Sequence, residues 1–340
     1  MPWLLTGGAG YIGAHIVQAF RAAGREVVVL DDLSSGFREF LPDDVVLHEG
    51  RVEDPAAVAA ALDAQPLDGV VHLAGLKYAG ESVKVPLDFY RANVEGTRVL
   101  LRQMAERDID RLVFSSSSAT YGTMEGEIVT EDAPQRPESP YGESKLIGEW
   151  LIRDQARARP SLRHTSLRYF NVVGSSAREP VPIVDHSPYN LFPLVFRALS
   201  AGRQPKVFGD DYPTPDGSCV RDYVDVVDLA EAHLRAAVLL EEGRELAPAY
   251  NVGRGEGVSV RQIIEAILAQ VDEQALGYEV VPRRPGDPAK IVGSARRIEQ
   301  DFDWKPGRGL AEMVEGAWSA WNAAGTAERE AAQDARRAVA

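Results

Sequence analysis

The chain has 340 residues, 45% of them apolar and 26% charged, with a formal net charge of −14. That length suits two closely joined domains of an ordinary soluble globular protein, and the acidic balance excludes a nucleic-acid surface, which needs a basic face to release counterions. An anionic ligand would have to be held by local cations working against the overall field. A single cysteine, Cys219, excludes an internal disulfide or a cysteine metal site and reads as a buried structural thiol in a reducing compartment, with the cytoplasm as the default. No apolar run reaches the roughly 18 residues of a membrane span, so neither a membrane nor a metal enters the reading.

Taken in order, short apolar strands alternate with amphipathic helices. Trp3 to Leu5 reads as a buried strand, followed by a helical pattern over Tyr11 to Ala23. Strands over Glu26 to Leu30 and Val45 to Leu47 precede a helix over Pro55 to Ala64. A strand over Gly69 to Leu73 leads to a long helix from Pro86 to Arg107. Then come a strand at Arg111 to Phe114, a helix at Tyr141 to Arg157 and a strand at Thr165 to Leu167. The alternation predicts an α/β fold with a doubly wound parallel (Rossmann) sheet and right-handed crossovers. Beyond about residue 172 the rhythm breaks, with frequent proline and glycine from Glu179 to Gly217 and one helix near Asn190 to Ala201. Helices return at Val226 to Glu241, Val260 to Val271 and Leu310 to Trp321. The expected organisation is a nucleotide-binding domain over 1–172, with returning segments at about 222–253, and a smaller, partly interleaved substrate domain from 173–221 and 254–323. Residues 324–340, alanine-rich and charged without an apolar stripe, read as a frayed helix or a disordered tail.

The segment Thr6-Gly7-Gly8-Ala9-Gly10-Tyr11-Ile12-Gly13 lies between the first strand and the first helix. Gly7 allows a tight turn, Gly10 lets backbone approach a pyrophosphate, and Gly13 lets helix and sheet pack closely, with the helix N-terminus facing the phosphates. Asp31-Asp32 falls about 20 residues on, at the end of the second strand, where a carboxylate takes a ribose 2′-OH. An acidic pair there repels a 2′-phosphate, which favours NAD over NADP; Arg38 reads as a solvated helix residue.

Tyr141 and Lys145 are four apart at the start of a helix and so share a face. An ammonium beside a phenol favours the phenolate, bringing a reference pKa of about 10 toward the working pH and giving a general base for an alcohol losing hydride. Upstream, Ser115-Ser116-Ser117-Ser118 closes the fifth strand, at the sheet edge where such folds bind ligands, and a hydroxyl there shares a proton with the tyrosine.

These motifs, with Leu73-Ala74-Gly75-Leu76-Lys77 and Asn93-Val94-Glu95-Gly96-Thr97, resemble the extended short-chain dehydrogenases/reductases. Arg168-Tyr169-Phe170-Asn171-Val172-Val173-Gly174, the run from Phe208 to Thr214, Val220-Arg221-Asp222-Tyr223 and the run from Pro282 to Asp287 narrow the likeness to the UDP-glucose 4-epimerases, over about Trp3 to Trp321. The resemblance implies interconversion of UDP-galactose and UDP-glucose through a transient 4-keto sugar, with NAD as a tightly bound prosthetic group. It implies Ser117, Tyr141 and Lys145 as catalytic residues. It implies cofactor contacts from Gly7, Gly10, Tyr11, Ile12, Gly13, Asp31, Leu33 and Val52, and from Leu73, Ala74, Gly75, Lys77, Asn93, Ser115, Tyr141, Lys145 and Tyr169. Substrate contacts are implied for Lys77, Ser117, Tyr141, Asn171, Asn190, Leu191, Val207, Phe208, Arg221, Arg284, Asp287 and Ile291. Two arginines suit a diphosphate through charge-assisted bonds. The resemblance also implies a homodimer through the helices near Val85 to Arg107 and Tyr141 to Arg157.

Two positions bear on this. Arg51 follows Gly50 where relatives place an aspartate near the adenine amine; arginine cannot accept that hydrogen bond, though it can stack on the ring. The bulk of Ile291 favours UDP-glucose and UDP-galactose over N-acetylated sugars. A nucleotide-sugar dehydratase would need carboxylates after its active-site hydroxyl residue, and Ser117 is followed by Ser118-Ala119-Thr120. The sequence also admits a UDP-pentose or UDP-uronic acid epimerase and, in a different class, a non-catalytic NAD sensor; intact Ser117, Tyr141 and Lys145 speak against the sensor.

Overall fold

A strand that is apolar on both faces must be covered on both faces. Trp3–Thr6 (β1) is such a strand, buried at every position. In the computed structural model, which describes residues 1–124, 128–183, 190–284 and 287–324, it is an interior strand of the largest sheet. It is followed by α1 (Tyr11–Ala22), β2 (Val27–Asp31), β3 (Val46–Glu49), α2 (Pro55–Asp63) and β4 (Gly69–His72). Short helices α3 (Ala79–Ser82) and α4 (Pro86–Phe89) lead through a π-helical stretch, Tyr90–Glu95, into α5 (Gly96–Ala105). Next come β5 (Arg111–Ser117), β6 (Ile128–Val129), α6 (Pro140–Ala158), β7 (Arg163–Tyr169) and β8 (Asn171–Val173). Then follow α7 (Leu191–Ser200), β9 (Lys206–Phe208), β10 (Val220–Asp225), α8 (Val226–Glu241) and β11 (Ala249–Val252). The last elements are β12 (Gly257–Ser259), α9 (Val260–Gln270), β13 (Glu279–Val281), β14 (Lys290–Gly293), α10 (Arg296–Phe302) and α11 (Leu310–Ala323).

The large sheet has seven strands in the order β11-β7-β5-β4-β1-β2-β3, every pairing parallel. The chain leaves β1 toward β2 and later returns on its other side as β4, so a crevice opens at the carboxyl ends of β1 and β4. One face is covered by α1 and α8 through Ile16, Val17, Phe20, Leu229 and Ala236, the other by α2, α5 and α6 through Val58, Leu62, Leu100 and Ile152. Helix starts follow local chemistry: Asp54 and Ser139 cap α2 and α6 with Pro55 and Pro140 in the first turn, and Ser259 with Gln262 forms a capping box on α9.

A third core, with Phe192, Phe196, Ile263, Ile267, Met313 and Trp321, joins α7, α9 and α11. Beside it β10 pairs antiparallel with β12 and parallel with β8 and β14, and β14 pairs with β6. Asp222, fully buried on β10, ties this sheet together by accepting from the backbone N–H groups of Arg254 (2.8 Å), Gly255 (3.2 Å) and Gly293 (3.1 Å). Burial pushes its pKa up to about 6 against those three bonds. Asp222→Ala is expected to lower the unfolding free energy by about 3 kcal/mol, since three buried donors lose their acceptor. The urea unfolding midpoint measures it; a change below about 0.5 kcal/mol would refute the anchoring role.

Within the large sheet and its helices the structure departs from the sequence pattern at three places. β5 runs on to Ser117, past the last apolar residue, because Ser115, Ser116 and Ser117 pair with Leu167, Arg168 and Tyr169 of β7. The expected single helix from Pro86 to Arg107 is divided by the π-helical stretch that carries Asn93. β11, four residues long and wholly buried, adds a seventh strand where no periodicity marks one. The expected tail lies, apart from Ala324, outside the described residues, as do Pro285 and Gly286.

Candidate active site

The glycine turn has the geometry its spacing implies. Gly7 adopts φ 74°, and a Cβ there would lie 2.7 Å from the Ala74 nitrogen. A Cβ on Gly13 would lie 2.2 Å from the Gly7 carbonyl oxygen, so α1 meets the turn without a side chain between them. Gly10 differs: it caps α1 in extended conformation, and a Cβ there would meet only the Gly7 oxygen, at 3.4 Å. The first turn of α1 carries no acidic residue, so this open surface presents the positive end of the helix and fits a dinucleotide pyrophosphate.

A crevice of about 1930 Å³ runs from this turn along the carboxyl edge of the sheet into the third core region. Gly7, Gly10, Tyr11, Ile12, Gly13, Asp31, Val52, Leu73, Ala74, Gly75 and Lys77 all line it. The Asp31 carboxylate is buried, with burial raising its pKa, and accepts from the N–H groups of Ala9 and Leu33, both at 2.9 Å. Leu33 reaches that bond in left-handed conformation (φ 55°), and its side chain packs on the core beside α1, away from the crevice. Arg51 also lines the crevice, 3.6 Å from the Asp32 carboxylate, so a cation borders the ribose end. Arg38 is spent on the carbonyls of Leu41, Pro42 and Asp43.

Asn93 stands behind the crevice wall. Its amide accepts from Leu76 N (2.8 Å) and donates to Leu76 O (3.0 Å) and Ser144 Oγ (2.8 Å), so both of its N–H groups are used in fixing the Gly75–Lys77 backbone, and the side chain is buried off the crevice lining. The expectation of a direct cofactor contact is corrected to a positioning role.

The serines at the end of β5 alternate, as strand residues must. Ser115 Oγ meets His233 Nε2 at 2.8 Å and Ser116 Oγ donates to Glu149 Oε1 at 2.6 Å on the opposite face. Ser115 is fully buried, so its place is behind the cofactor wall and not on it. Ser117 is hydrogen-bonded to Tyr141, and its Oγ accepts from Ala119 N at 3.1 Å. Lys145 is buried one turn beyond Tyr141; its ammonium donates to the Ser115 carbonyl (2.9 Å) and lies 5.1 Å from the Phe114 ring centre. Burial lowers it to about 8, opposed by the charge of Glu149. Burial raises Tyr141, with the Ser117 hydrogen bond pulling the other way. The sequence expectation of a lowered phenol is therefore reversed in the protein alone: desolvation outweighs the hydroxyl contact. Tyr169, on the same crevice, is raised by burial and by the nearby Tyr141.

At the far end Asn171, Asn190, Leu191, Phe208, Arg221, Arg284, Asp287 and Ile291 line the crevice. Asp287 joins the two arginines: Arg284 Nε donates to it at 2.9 Å and Arg221 lies 3.8 Å away, while the Arg284 guanidinium stacks 4.8 Å from the Phe208 ring centre. Arg221 also donates to the Val220 and Pro288 carbonyls. Arg283 points elsewhere, pairing with Asp211 at 2.5 Å and stacking on Tyr212. Val207 is a correction: its side chain is fully buried in the third core, and strand alternation puts Lys206 and Phe208 on the crevice instead. Lys206 and Arg197, also lining, were missed; a period-2 reading around Phe208 would have found the first.

Residues 3–253 match the NAD dependent epimerase/dehydratase family. The UDP-glucose 4-epimerase of Halalkalibacterium halodurans is 39% identical over 322 residues, covering 94% of this chain and 95% of that protein. A UDP-glucose 4-epimerase from Stenotrophomonas maltophila, solved with NAD and formylated UDP-arabinopyranose, superposes with a TM-score of 0.89 at 34% identity, covering 96% and 99% of the two chains. The UDP-glucose 4-epimerase of Bifidobacterium longum, solved with NAD+ and UDP, superposes at 0.85 with 33% identity over 96% and 100%. The chain belongs to the NAD dependent epimerase/dehydratase family.

Proposed function

We propose that the chain is a UDP-glucose 4-epimerase, an NAD-dependent isomerase interconverting UDP-galactose and UDP-glucose. The observation that carries this is a single crevice holding a dinucleotide turn at one end, Tyr141 and Lys145 in the middle with Ser117 behind Tyr141, and the Arg221–Asp287–Arg284 group at the other. NAD, when bound, supplies a reversible two-electron acceptor for C4 of the sugar. Tyr141 takes the proton of the 4-hydroxyl and later returns it, with Ser117 holding the same oxygen and Lys145 supplying positive charge. Arg221 and Arg284 grip the diphosphate while Asn190, Leu191 and Phe208 enclose the nucleoside end. Gripping the nucleotide and leaving the hexose loose retains a 4-keto intermediate yet lets it present either face, which inverts C4. The family also contains dehydratases, but Ser118-Ala119-Thr120 supplies no carboxylate for eliminating water. Ile291 on the crevice wall supports UDP-glucose and UDP-galactose over N-acetylated sugars.

The same reading divides the chain into a cofactor domain of 1–172 with 222–253 and a substrate domain of 173–221 with 254–323. It includes a homodimer, for which exposed Leu87 on α4 and Trp150 on α6 supply apolar contacts, and a cytoplasmic setting. Among the described residues no helix is long and apolar enough to cross a membrane.

The test is proton NMR of UDP-galactose incubated with purified protein and no added cofactor. UDP-glucose signals growing toward an equilibrium mixture are expected, with NAD carried through purification despite Arg51. No conversion after adding NAD would overturn the reading.

A further inference from the structure

Tyr11, His15 and Gln18 follow one another at helical spacing along α1 and share one of its faces, and the chemistry of the crevice uses only the first. His15 is buried, and a buried imidazole costs more than an aliphatic side chain of its size unless its nitrogens are bonded. Here both nitrogens have partners. Nδ1 lies 2.8 Å from the Tyr11 carbonyl oxygen, which can only accept, so Nδ1 carries the proton and Nε2 is left as the acceptor. Nε2 accepts from the Ser176 N–H at 3.2 Å, with the Ser175 hydroxyl 3.3 Å away. Burial pushes the His15 pKa down to about 4, against the Tyr11 hydrogen bond, so the ring stays neutral and Nε2 keeps its lone pair. On either side of this contact the Tyr11 hydroxyl donates to the Gly174 carbonyl, and the Gln18 amide donates to the Glu179 carbonyl at 2.9 Å.

The segment held in this way continues directly from β8, and Asn171, Val172, Val173 and Gly174 all line the crevice. β8 in turn pairs with β10, the strand that carries Arg221. The segment has little room to shift. A Cβ on Gly174 would lie 2.1 Å from an Asp225 carboxylate oxygen, and one on Gly316 of α11 would lie 2.7 Å from the Ser175 carbonyl oxygen. It is clamped between α11 and α1, the helix whose N-terminus faces the pyrophosphate position. We infer that His15 is a positioning residue: through Ser176 it registers the Asn171–Gly174 wall against the cofactor helix, and so sets the gap that hydride crosses between sugar and nicotinamide. This rests on the epimerase reading of the site. In that reading the glycine turn holds the dinucleotide and the distant arginine group holds the nucleotide of the substrate, so neither grip fixes the separation of the reacting carbons. His15 joins the two parts of the chain one helical turn from the glycine turn. A misplacement of about 1 Å costs about 100-fold in rate, and here the loss falls on hydride transfer and not on either affinity.

The experiment compares His15→Asn, His15→Phe and His15→Gln as holoenzymes. Asparagine places an amide where Nδ1 stood and phenylalanine keeps the ring, but both lose the acceptor at Nε2; glutamine carries an amide oxygen to that place. In His15→Asn and His15→Phe, kcat for UDP-galactose is expected to fall about 10–100-fold, with the affinities for UDP and NAD changed less than about threefold. The primary isotope effect with UDP-galactose deuterated at C4 should rise above the wild-type value in both, because the loss lies in hydride transfer. His15→Gln should recover kcat to within about threefold of the wild type. Hydrogen-exchange mass spectrometry of peptides spanning Gly174 to Val181 reads the contact itself. The Ser176 amide is expected to be protected at least about 100-fold in the wild type and in His15→Gln, and to lose that protection in the other two. An unprotected Ser176 amide in the wild type overturns the inference, and that measurement needs no variant to fold. Near-normal kcat in His15→Asn and His15→Phe, or an equal loss in His15→Gln, overturns it as well. Amide exchange does not depend on which sugar is turned over, so a wild type inactive on UDP-galactose would sink the functional reading and leave the exchange pattern intact.

Discussion

Tyr141→Phe is expected to lose turnover by about 10³-fold or more while binding UDP-sugar as the wild type does. The substitution removes one oxygen and little else. The ring is buried and meets Phe89 edge-on, with centroids 6.4 Å apart, a contact that phenylalanine keeps. The hydroxyl contributes a hydrogen bond with Ser117 and the place where a proton is held during oxidation of C4. Binding comes from other parts of the crevice, chiefly the arginine pair at its far end, so the loss falls on kcat and not on affinity. Calorimetric titration with UDP-glucose gives the affinity and a coupled assay the rate. A near-normal rate would remove Tyr141 as the base. The raised phenol adds a corollary about the pH at which it acts. Burial disfavours the phenolate in the protein alone, so the ionised base depends on positive charge brought to it, from Lys145 and from the cofactor.

How far this site was legible in the sequence depends on what each residue does with its backbone and its side chain. Glycines that act by lacking a Cβ were readable from spacing alone, because a turn between a strand and a helix imposes the same demands wherever it occurs. Tyr141 and Lys145 were readable from the helical period. Misreadings arose where a residue's polar group is consumed by the protein itself. Asn93 is spent on the backbone of Leu76, and its amide could be assigned to a ligand only because the sequence does not show that partner. Val207 was misplaced because the alternation along β9, which buries it between Lys206 and Phe208, was not applied to this short strand. The His15–Ser176 contact was hidden for a different reason: its members lie on α1 and beyond β8, and only the docking of that segment on α1 brings them together. The short strands around β10 pair across long sequence separations and carry no period of their own.

Gly13→Ala and Gly10→Ala separate what the glycine turn does for the fold from what it does for the cofactor. At Gly13 a methyl carbon would stand 2.2 Å from the Gly7 oxygen and 2.7 Å from the Gly8 Cα, both backbone atoms with no side-chain freedom to yield. The helix must move off the turn, at a cost of about 1–3 kcal/mol or more, and its N-terminus leaves the phosphate position with it. Gly13→Ala is therefore expected to melt several degrees lower and to bind NAD at least about 100-fold more weakly, since loss of several charge-assisted N–H contacts exceeds about 2.7 kcal/mol. At Gly10 the backbone is extended (φ −77°, ψ 170°), a conformation alanine adopts without strain, and its methyl would project into the crevice. Gly10→Ala should melt within about a degree of the wild type without cofactor, yet bind NAD at least about tenfold more weakly, because the methyl occupies the pyrophosphate approach. Thermal melts with and without NAD read both effects, since a ligand that binds only the folded state stabilises it by an amount that grows with the logarithm of its concentration over Kd. Wild-type NAD stabilisation in Gly10→Ala would mean that the pyrophosphate does not cross the turn there, while an unchanged melt in Gly13→Ala would mean that α1 has slack the packing does not show.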